Sequence, residues 1–187
     1  MAGSSRRTAA TARGPRAKPV PVRPRRAARM TPPAAGAFHV EIVDRQRRLA
    51  VARPWLAGII RAALARQGVA AAEICVLLVD DRRIATLHER WLGVPGPTDV
   101  ITFDLGSQPD ALRGDIAVSA ETAARVAREI GCEPRRELAY YVVHGLLHLA
   151  GHDDHTAADR RRMRARERLL MQAAGLPPPA AAARGRR

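Results

Sequence analysis

Apolar and polar positions along the chain alternate with two different periods, and these periods predict the secondary structure. Two-residue alternation and short apolar runs rich in β-branched residues are typical of strands, and they occur at 38–43, 72–79, 98–105 and 114–119. Apolar residues at helical spacing predict five helices, around 55–64, 84–91, 120–130, 134–148 and 157–174. The order of the elements is β-α-β-α-β-β-α-α-α.

Helix boundaries are marked by residues that begin or end helices. Asp81 and Ser119 are suited to cap the second and third helices with their side chains, and Pro134 is suited to the first turn of the fourth. Gly131 and Gly151 follow helical segments, where glycine adopts the left-handed conformation that ends many helices. We therefore predict an α/β (α+β) fold, with a mixed four-stranded sheet flanked by helices.

The charge distribution divides the chain into three parts. Of its formal net charge of +14, most comes from residues 1–36 and 177–187, which carry nine and three basic residues and no acid. Both ends are rich in Pro, Ala and Arg and lack hydrophobic periodicity, so we expect them to be disordered. Residues 37–176 are nearly neutral and form the expected single domain.

The basic N-terminal segment has three interpretations. It could be an arm that contacts RNA through phosphate charge, an arginine-rich organellar transit peptide, or a solvated extension upstream of a start at Met30. The sequence leaves all three open, and a solvated extension is the simplest.

Cysteine content and hydropathy indicate the cellular compartment in which we expect the protein. Cys75 and Cys132 are too few and too far apart for a disulfide framework or a thiolate metal site, and we expect both to be buried and reduced. No apolar run in the printed sequence is long enough to span a bilayer, and no compact apolar signal segment precedes the domain. We expect a cytoplasmic protein without a membrane partner.

Metal-binding side chains are concentrated in residues 144–155, which contain four histidines and two aspartates. His144 and His148 are four residues apart, so on a helix they lie one turn apart on the same face. A helix stop at Gly151 would let the chain fold back and supply a third ligand from the segment 152–155. Three protein ligands with a fourth position open is typical of catalytic zinc sites, in which the ion acidifies a water and polarises the oxygen under attack.

The residue after His144 limits the reactions that the candidate metal site could catalyse. In H-E-x-x-H metallopeptidases this residue is the glutamate that acts as general base, but here it is Gly145. A peptidase mechanism would lack its proton acceptor, and a phosphodiester is a plausible alternative substrate because a cation can neutralise charge that develops on phosphate oxygens.

Three sequence blocks resemble the YbeY family of bacterial metal-dependent endoribonucleases. Residues 144–151, HGLLHLAG, are similar to that family's H-G-x-L-H-L-x-G block. Residues 97–103, PTDVITF, resemble its P-T-D-V-L-S-F block, and residues 114–119, GDIAVS, resemble its G-D-I-x-I-S block. The order and spacing of the blocks also agree, and the resemblance covers roughly residues 38–175.

The resemblance implies a ligand set. It implies that His144, His148 and Asp154 hold one Zn²⁺ ion per chain and form the catalytic centre, with His155 as the alternative third ligand. Most relatives have histidine at the position of Asp154, and many have arginine at the position of Leu92, in a cleft that contacts RNA. Thr98, Asp99 and Asp115 lie in the matched blocks, where they serve either as local structural groups or as residues that orient a ligand.

The function that the resemblance implies is zinc-dependent, single-strand-specific endoribonuclease activity. Its expected roles are maturation of the 3' end of 16S ribosomal RNA and ribosome quality control. The expected partners are ribosomal RNA, the small ribosomal subunit and its assembly factors, and we expect no DNA partner. Two alternatives remain open from the residues: a ribosome-assembly binding factor with a chiefly structural metal site, and a metal-dependent hydrolase of another substrate.

Overall fold

A computed structural model describes residues 10–11 and 37–177. Its strands are β1 (Ala10–Thr11), β2 (Phe38–Asp44), β3 (Ala71–Val79), β4 (Val100–Asp104) and β5 (Ala111–Ser119). Its helices are α1 (Arg53–Gln67), α2 (Asp81–Leu92), α3 (Ala120–Ile130), α4 (Pro134–Leu149) and α5 (Ala157–Ala173). Apart from residues 10, 11 and 177, the two ends that we expect to be disordered lie outside the described residues.

The strands form one mixed sheet in the order β1-β4-β5-β3-β2. Strands β2, β3 and β5 are parallel to one another, and β4 pairs with β5 in the antiparallel sense. The four predicted strands make up nearly all of this sheet, and the two residues of β1 pair with Ile101 and Thr102 at its edge. The predicted α/β class with a mixed four-stranded sheet is confirmed.

The two faces of the sheet bury apolar residues in two separate cores, because successive strand residues point to opposite faces. The larger core lies beneath α1, α4 and α5 and includes alternate residues of β3 and β5, such as Ile74, Val76 and Ile116. The smaller core lies beneath α2 and contains Val79, Ile84, Ile101 and Ala117. Of the helices, α4 is the central one, because every residue from Glu137 to Leu149 is buried.

Two glycines allow close packing of α4 against the sheet. A Cβ atom at Gly145 would lie 2.9 Å from Ile116 Cγ2 of β5, and one at Gly114 would lie 2.5 Å from Leu149 Cδ2 of α4. Both distances are shorter than van der Waals contact. The glycines therefore bring α4, which carries the candidate metal ligands, directly onto β4 and β5.

Several local predictions are confirmed and two are wrong. The Ser119 side chain caps α3 by accepting a hydrogen bond from the Thr122 amide, as predicted. The N-cap of α2 is Asp80 rather than Asp81, because the Asp80 carboxylate accepts from the Arg83 amide at 2.8 Å. Cys75 and Cys132 are both free thiols, but they are half-buried rather than buried.

Within the described residues, no helix combines the length and the apolar character that crossing a membrane requires.

Candidate metal centre

Helix α4 places two imidazole rings against each other. His144 and His148 are buried, with 8% and 6% of their surface exposed, and their ring centroids are 4.6 Å apart. The two Nε2 atoms face each other at 3.1 Å. Two nitrogens bound to one tetrahedral zinc ion at about 2.0–2.1 Å lie about 3.3 Å apart, so the observed separation fits two ligands of one ion.

The Nδ1 atom of each ring lies next to an oxygen atom that accepts hydrogen bonds. His148 Nδ1–H donates to the carbonyl oxygen of His152 at 3.1 Å, and His144 Nδ1 lies 2.7 Å from Glu167 Oε1. In neutral imidazole the nitrogen that does not donate carries a lone pair. Both Nε2 lone pairs then point into the same space, where they repel unless a positive charge lies between them.

Glu167, on α5, contacts His144 at Nδ1, the ring nitrogen that does not face His148. Its side chain is buried, and Oε1 accepts a hydrogen bond from the Tyr140 hydroxyl at 2.8 Å as well as contacting His144. Carboxylate partners of this kind fix the orientation of metal-ligating histidines and raise their basicity. The sequence does not single out this residue, because arginines flank it on both sides.

The loop after α4 brings in the third group. Gly151 has φ +83°, a conformation that glycine adopts without a steric penalty, and it turns the chain back toward the histidines. Asp154 Oδ1 is buried without a hydrogen-bond partner among the described residues. The ligand atoms of His144, His148 and Asp154 all lie within 4.8 Å of one another.

The remaining candidates in the loop lie outside this group. His155 is 72% exposed in its side chain and pairs with Asp153 at 3.3 Å. The ring of His152 lies 2.8 Å from the Gln67 side chain of α1, while its carbonyl oxygen orients His148. The geometry therefore brings Asp154, and not His155, to the two histidines.

The donor set fits a metal ion. Two imidazole nitrogens and one carboxylate oxygen converge on one point, and an unpartnered buried oxygen such as Asp154 Oδ1 is costly without a positive or donating neighbour. Zinc commonly takes nitrogen and carboxylate ligands in this combination. The group could thus hold a metal ion, and that the three residues are its ligands stays a prediction.

The electrostatics of the two histidines differ. Burial and the neighbouring His144 lower the pKa of His148 to about 4, so His148 stays neutral at physiological pH, as a metal ligand must. Burial alone would lower the pKa of His144, but the hydrogen bond and the charge of Glu167 outweigh burial and leave that pKa raised. Glu167 therefore attracts a positive charge, whether a proton or a metal ion, to this ring.

The other residues of the matched blocks have mainly structural contacts. Asp99 Oδ1 accepts hydrogen bonds from the Thr98 hydroxyl and the Val100 amide, which is the local role that we considered for both residues. The charge of Asp99 also acts on His144, where it adds to the effect of Glu167 in raising the pKa of the imidazole. Asp115 lines a pocket with Glu41, Glu73 and Cys75, and neither His144 nor His148 is among the residues that line it. Leu92 packs into the smaller core.

Comparison with known proteins shows to which family this chain belongs. The family model described as Endoribonuclease YbeY matches residues 41–175, which is most of the chain. The chain belongs to the YbeY family. The matched residues lie within the range 38–175 over which the three blocks resemble the family.

Curated members of the YbeY family are similar to this chain over much of its length. A protein from Anaeromyxobacter sp. (strain Fw109-5), named Endoribonuclease YbeY, is 47% identical over 115 residues, which is 60% of each of the two chains. A protein of the same name from Moorella thermoacetica is 42% identical over 130 residues, which is 63% of this chain and 83% of that one. The match thus spans about three fifths of the Anaeromyxobacter relative.

One solved structure has the same fold. The solution structure of TM1509 from Thermotoga maritima superposes with a TM-score of 0.50 and 22% sequence identity. The similarity covers 73% of this chain and 90% of that chain. At this identity the comparison supports the fold alone.

Proposed function

We propose that this protein is a zinc-dependent endoribonuclease that cleaves single-stranded RNA. The observation that carries the proposal is the convergence of His144, His148 and Asp154 on one point, in a chain whose relatives are named endoribonucleases. The finer proposal places the protein in the cytoplasm, where it acts with the small ribosomal subunit and its assembly factors. Its roles there are maturation of the 16S RNA 3' end and ribosome quality control.

The three ligand residues would hold the ion, and neighbouring side-chain and backbone groups orient the two histidines. When bound, zinc supplies a Lewis acid that polarises a phosphate oxygen and acidifies a water molecule. Glu167 orients His144, and the His152 carbonyl orients His148. Because neither histidine can rotate without losing its Nδ1 hydrogen bond, the Nε2 atoms are held in place without a bound ion.

The number of protein ligands favours a catalytic ion over a structural one. The candidate group has three members, whereas structural zinc sites are closed by four ligands, mostly cysteines. Neither Cys75 nor Cys132 belongs to the candidate groups found among the described residues. A fourth position would therefore remain for water or a phosphate oxygen.

Packing argues against peptide hydrolysis. A glutamate at position 145 would act as the base of a metallopeptidase, but there is no room for a side chain there. Even a single Cβ atom at Gly145 would lie 2.9 Å from Ile116 Cγ2 and 3.2 Å from Thr102 Oγ1. The site thus excludes this base by close contact with the sheet.

The test combines metal analysis with RNA cleavage. The purified wild-type protein, stripped with a chelator and reloaded with zinc, is incubated with single-stranded and duplex RNA of the same sequence. We expect cleavage of the single strand only, restored by zinc and absent from His148→Ala. A zinc-loaded wild type that binds RNA without cleaving it would contradict the proposal and favour an assembly factor with a structural ion.

A further inference from the structure

Helix α5 carries a row of arginines beside the candidate metal centre. Arg161, Arg164 and Arg168 are all exposed, and at 3.6 residues per turn they lie within about 60° of one another around the helix axis. The row is about 10 Å long. We call these three residues the arginine row.

The acidic residues of α5 do not neutralise this row. Asp159 bonds to Thr156 and pairs with Arg162 at the start of the helix. Glu167 points into the core toward Tyr140 and His144. Among residues 37–177, no ion pair or hydrogen bond joins the arginine row to a carboxylate.

This arrangement costs stability in the isolated protein. Like charges three or four residues apart on a helix repel each other, and Arg160 adds a further positive charge four residues before Arg164. An anion that binds along the row would relieve this repulsion. The rest of residues 37–176 is close to neutral, so the positive charge is concentrated on this helix and does not reflect a generally basic domain.

Arg160, the residue before the row, joins the start of α5 to the loop that carries the third candidate ligand. The Arg160 guanidinium donates to the carbonyl oxygens of Asp154 and His155, at 3.2 Å and 2.7 Å. The arginine row begins at the next residue, Arg161, and its second member, Arg164, lies one turn after Arg160. Glu167, which contacts His144, lies between Arg164 and Arg168 in the sequence of α5. The helix that carries the row therefore contacts both the loop of Asp154 and the ring of His144.

We propose that the arginine row binds the backbone phosphates of single-stranded RNA next to the metal centre. This inference rests on the proposed function, and it assigns the substrate-binding surface. Guanidinium groups bind phosphate oxygens through two parallel hydrogen bonds, and such contacts require no particular base. An anionic membrane is a poorer partner, since the large apolar residue between the arginines, Met163, is buried and is not available for insertion into lipid.

The test measures RNA binding separately from cleavage. The full chain, zinc-loaded, is titrated with an unstructured fluorescent oligoribonucleotide at several salt concentrations. Each phosphate contact on a single strand contributes about 0.7 to the slope of log K against log salt. We expect the slope to fall by about 2 in the variant that removes the row, Arg161→Gln/Arg164→Gln/Arg168→Gln.

A matched control removes the same charge elsewhere. Three exposed arginines on other helices are replaced together in the variant Arg61→Gln/Arg82→Gln/Arg128→Gln. This control should keep the wild-type slope, and both variants should keep the wild-type zinc content. Equal slopes in the two variants would overturn the proposal, as would wild-type protein that binds anionic phospholipid vesicles more tightly than RNA.

Cleavage data distinguish failure of this proposal from failure of the proposed function. For a working endoribonuclease, the row variant should raise KM and leave kcat unchanged. If the wild type does not cleave RNA but the row variant still loses RNA binding, the proposed function fails and the binding surface stands. If the wild type cleaves and the row variant matches it in slope and KM, the binding surface is wrong and the proposed function stands.

Discussion

Glu167 and His144 form a buried carboxylate–imidazole pair, with Glu167 Oε1 2.7 Å from His144 Nδ1. The pair joins α5 to α4 at the candidate metal centre, and only 3% of Glu167 is exposed. Because the same oxygen also accepts from Tyr140, the carboxylate is fixed from two sides. The orientation of the first candidate ligand is therefore set by a residue on a different helix.

Removing the charge of Glu167 should weaken metal binding. Loss of a carboxylate that orients a ligating histidine typically costs 10–100-fold in metal affinity, so we expect Glu167→Gln to raise the zinc Kd by about that factor. Competition with a chelating dye measures the Kd. Tyr140→Phe is the matched control, since it removes the neighbouring hydrogen bond and leaves the charge, and it should change the Kd much less. An unchanged Kd in Glu167→Gln would refute the positioning role.

Adding a methyl group between α4 and the sheet should destabilise the protein. A Cβ at Gly114 would lie 2.5 Å from Leu149 Cδ2 on α4 and 2.6 Å from the Phe103 carbonyl oxygen on β4. The carbonyl oxygen cannot move without disturbing β4. Overpacking of this kind costs about 1–3 kcal/mol, so we expect Gly114→Ala to lower the free energy of unfolding by about 2–3 kcal/mol. For Gly145→Ala we expect about 1 kcal/mol, since the gain in helix propensity offsets part of the clash.

Gly58 provides the control for these two substitutions. It lies inside α1, and a Cβ there would have no neighbour within 4 Å. Gly58→Ala should therefore raise the free energy of unfolding by about 0.5–1 kcal/mol. Urea denaturation of the three variants checks the order, and a Gly114→Ala protein as stable as the wild type would contradict the packing of α4 on the sheet.

Cys75 should react slowly with alkylating agents. Burial, followed by the charges of Asp115 and Glu41, raises the pKa of the Cys75 thiol from 9.0 to about 12. The thiolate is the reactive form, so at pH 8 its fraction falls by a factor on the order of a hundred to a thousand. In Cys132→Ser, where Cys75 is the only cysteine, iodoacetamide should label the folded protein slowly, and the rate should increase about tenfold per pH unit. Labelling at the rate of an unfolded peptide thiol would contradict this environment.

Much of the fold follows from the sequence because its signals are local. Strand alternation, the Ser119 cap and the glycine stops predict elements that the structure contains. Strand β5 begins at Ala111, three residues before the predicted start, because pairing with β3 extends it beyond the apolar segment. Partial exposure of the cysteines depends on how the sheet faces are covered, which sequence periodicity does not determine.

The candidate site could be predicted only in part. Helical spacing is sufficient to pair His144 with His148, but the choice between Asp154 and His155 depends on how the loop turns after Gly151. Glu167 was hidden by its arginine neighbours. One signal could have revealed it: Met163, Leu170 and Met171 form a buried stripe on α5, and Glu167 occupies a position within that stripe. A charged residue at a core position of an amphipathic helix indicates a buried partner.

The central claim is that Asp154 completes a metal centre required for RNA cleavage. It is tested most directly by measuring bound zinc per chain and single-stranded RNA cleavage in Asp154→Ala and His155→Ala. We expect Asp154→Ala to lose both zinc and cleavage, whereas His155→Ala, whose side chain is exposed and pairs with Asp153, should retain both. Loss of zinc and cleavage in His155→Ala with wild-type behaviour of Asp154→Ala would contradict the account.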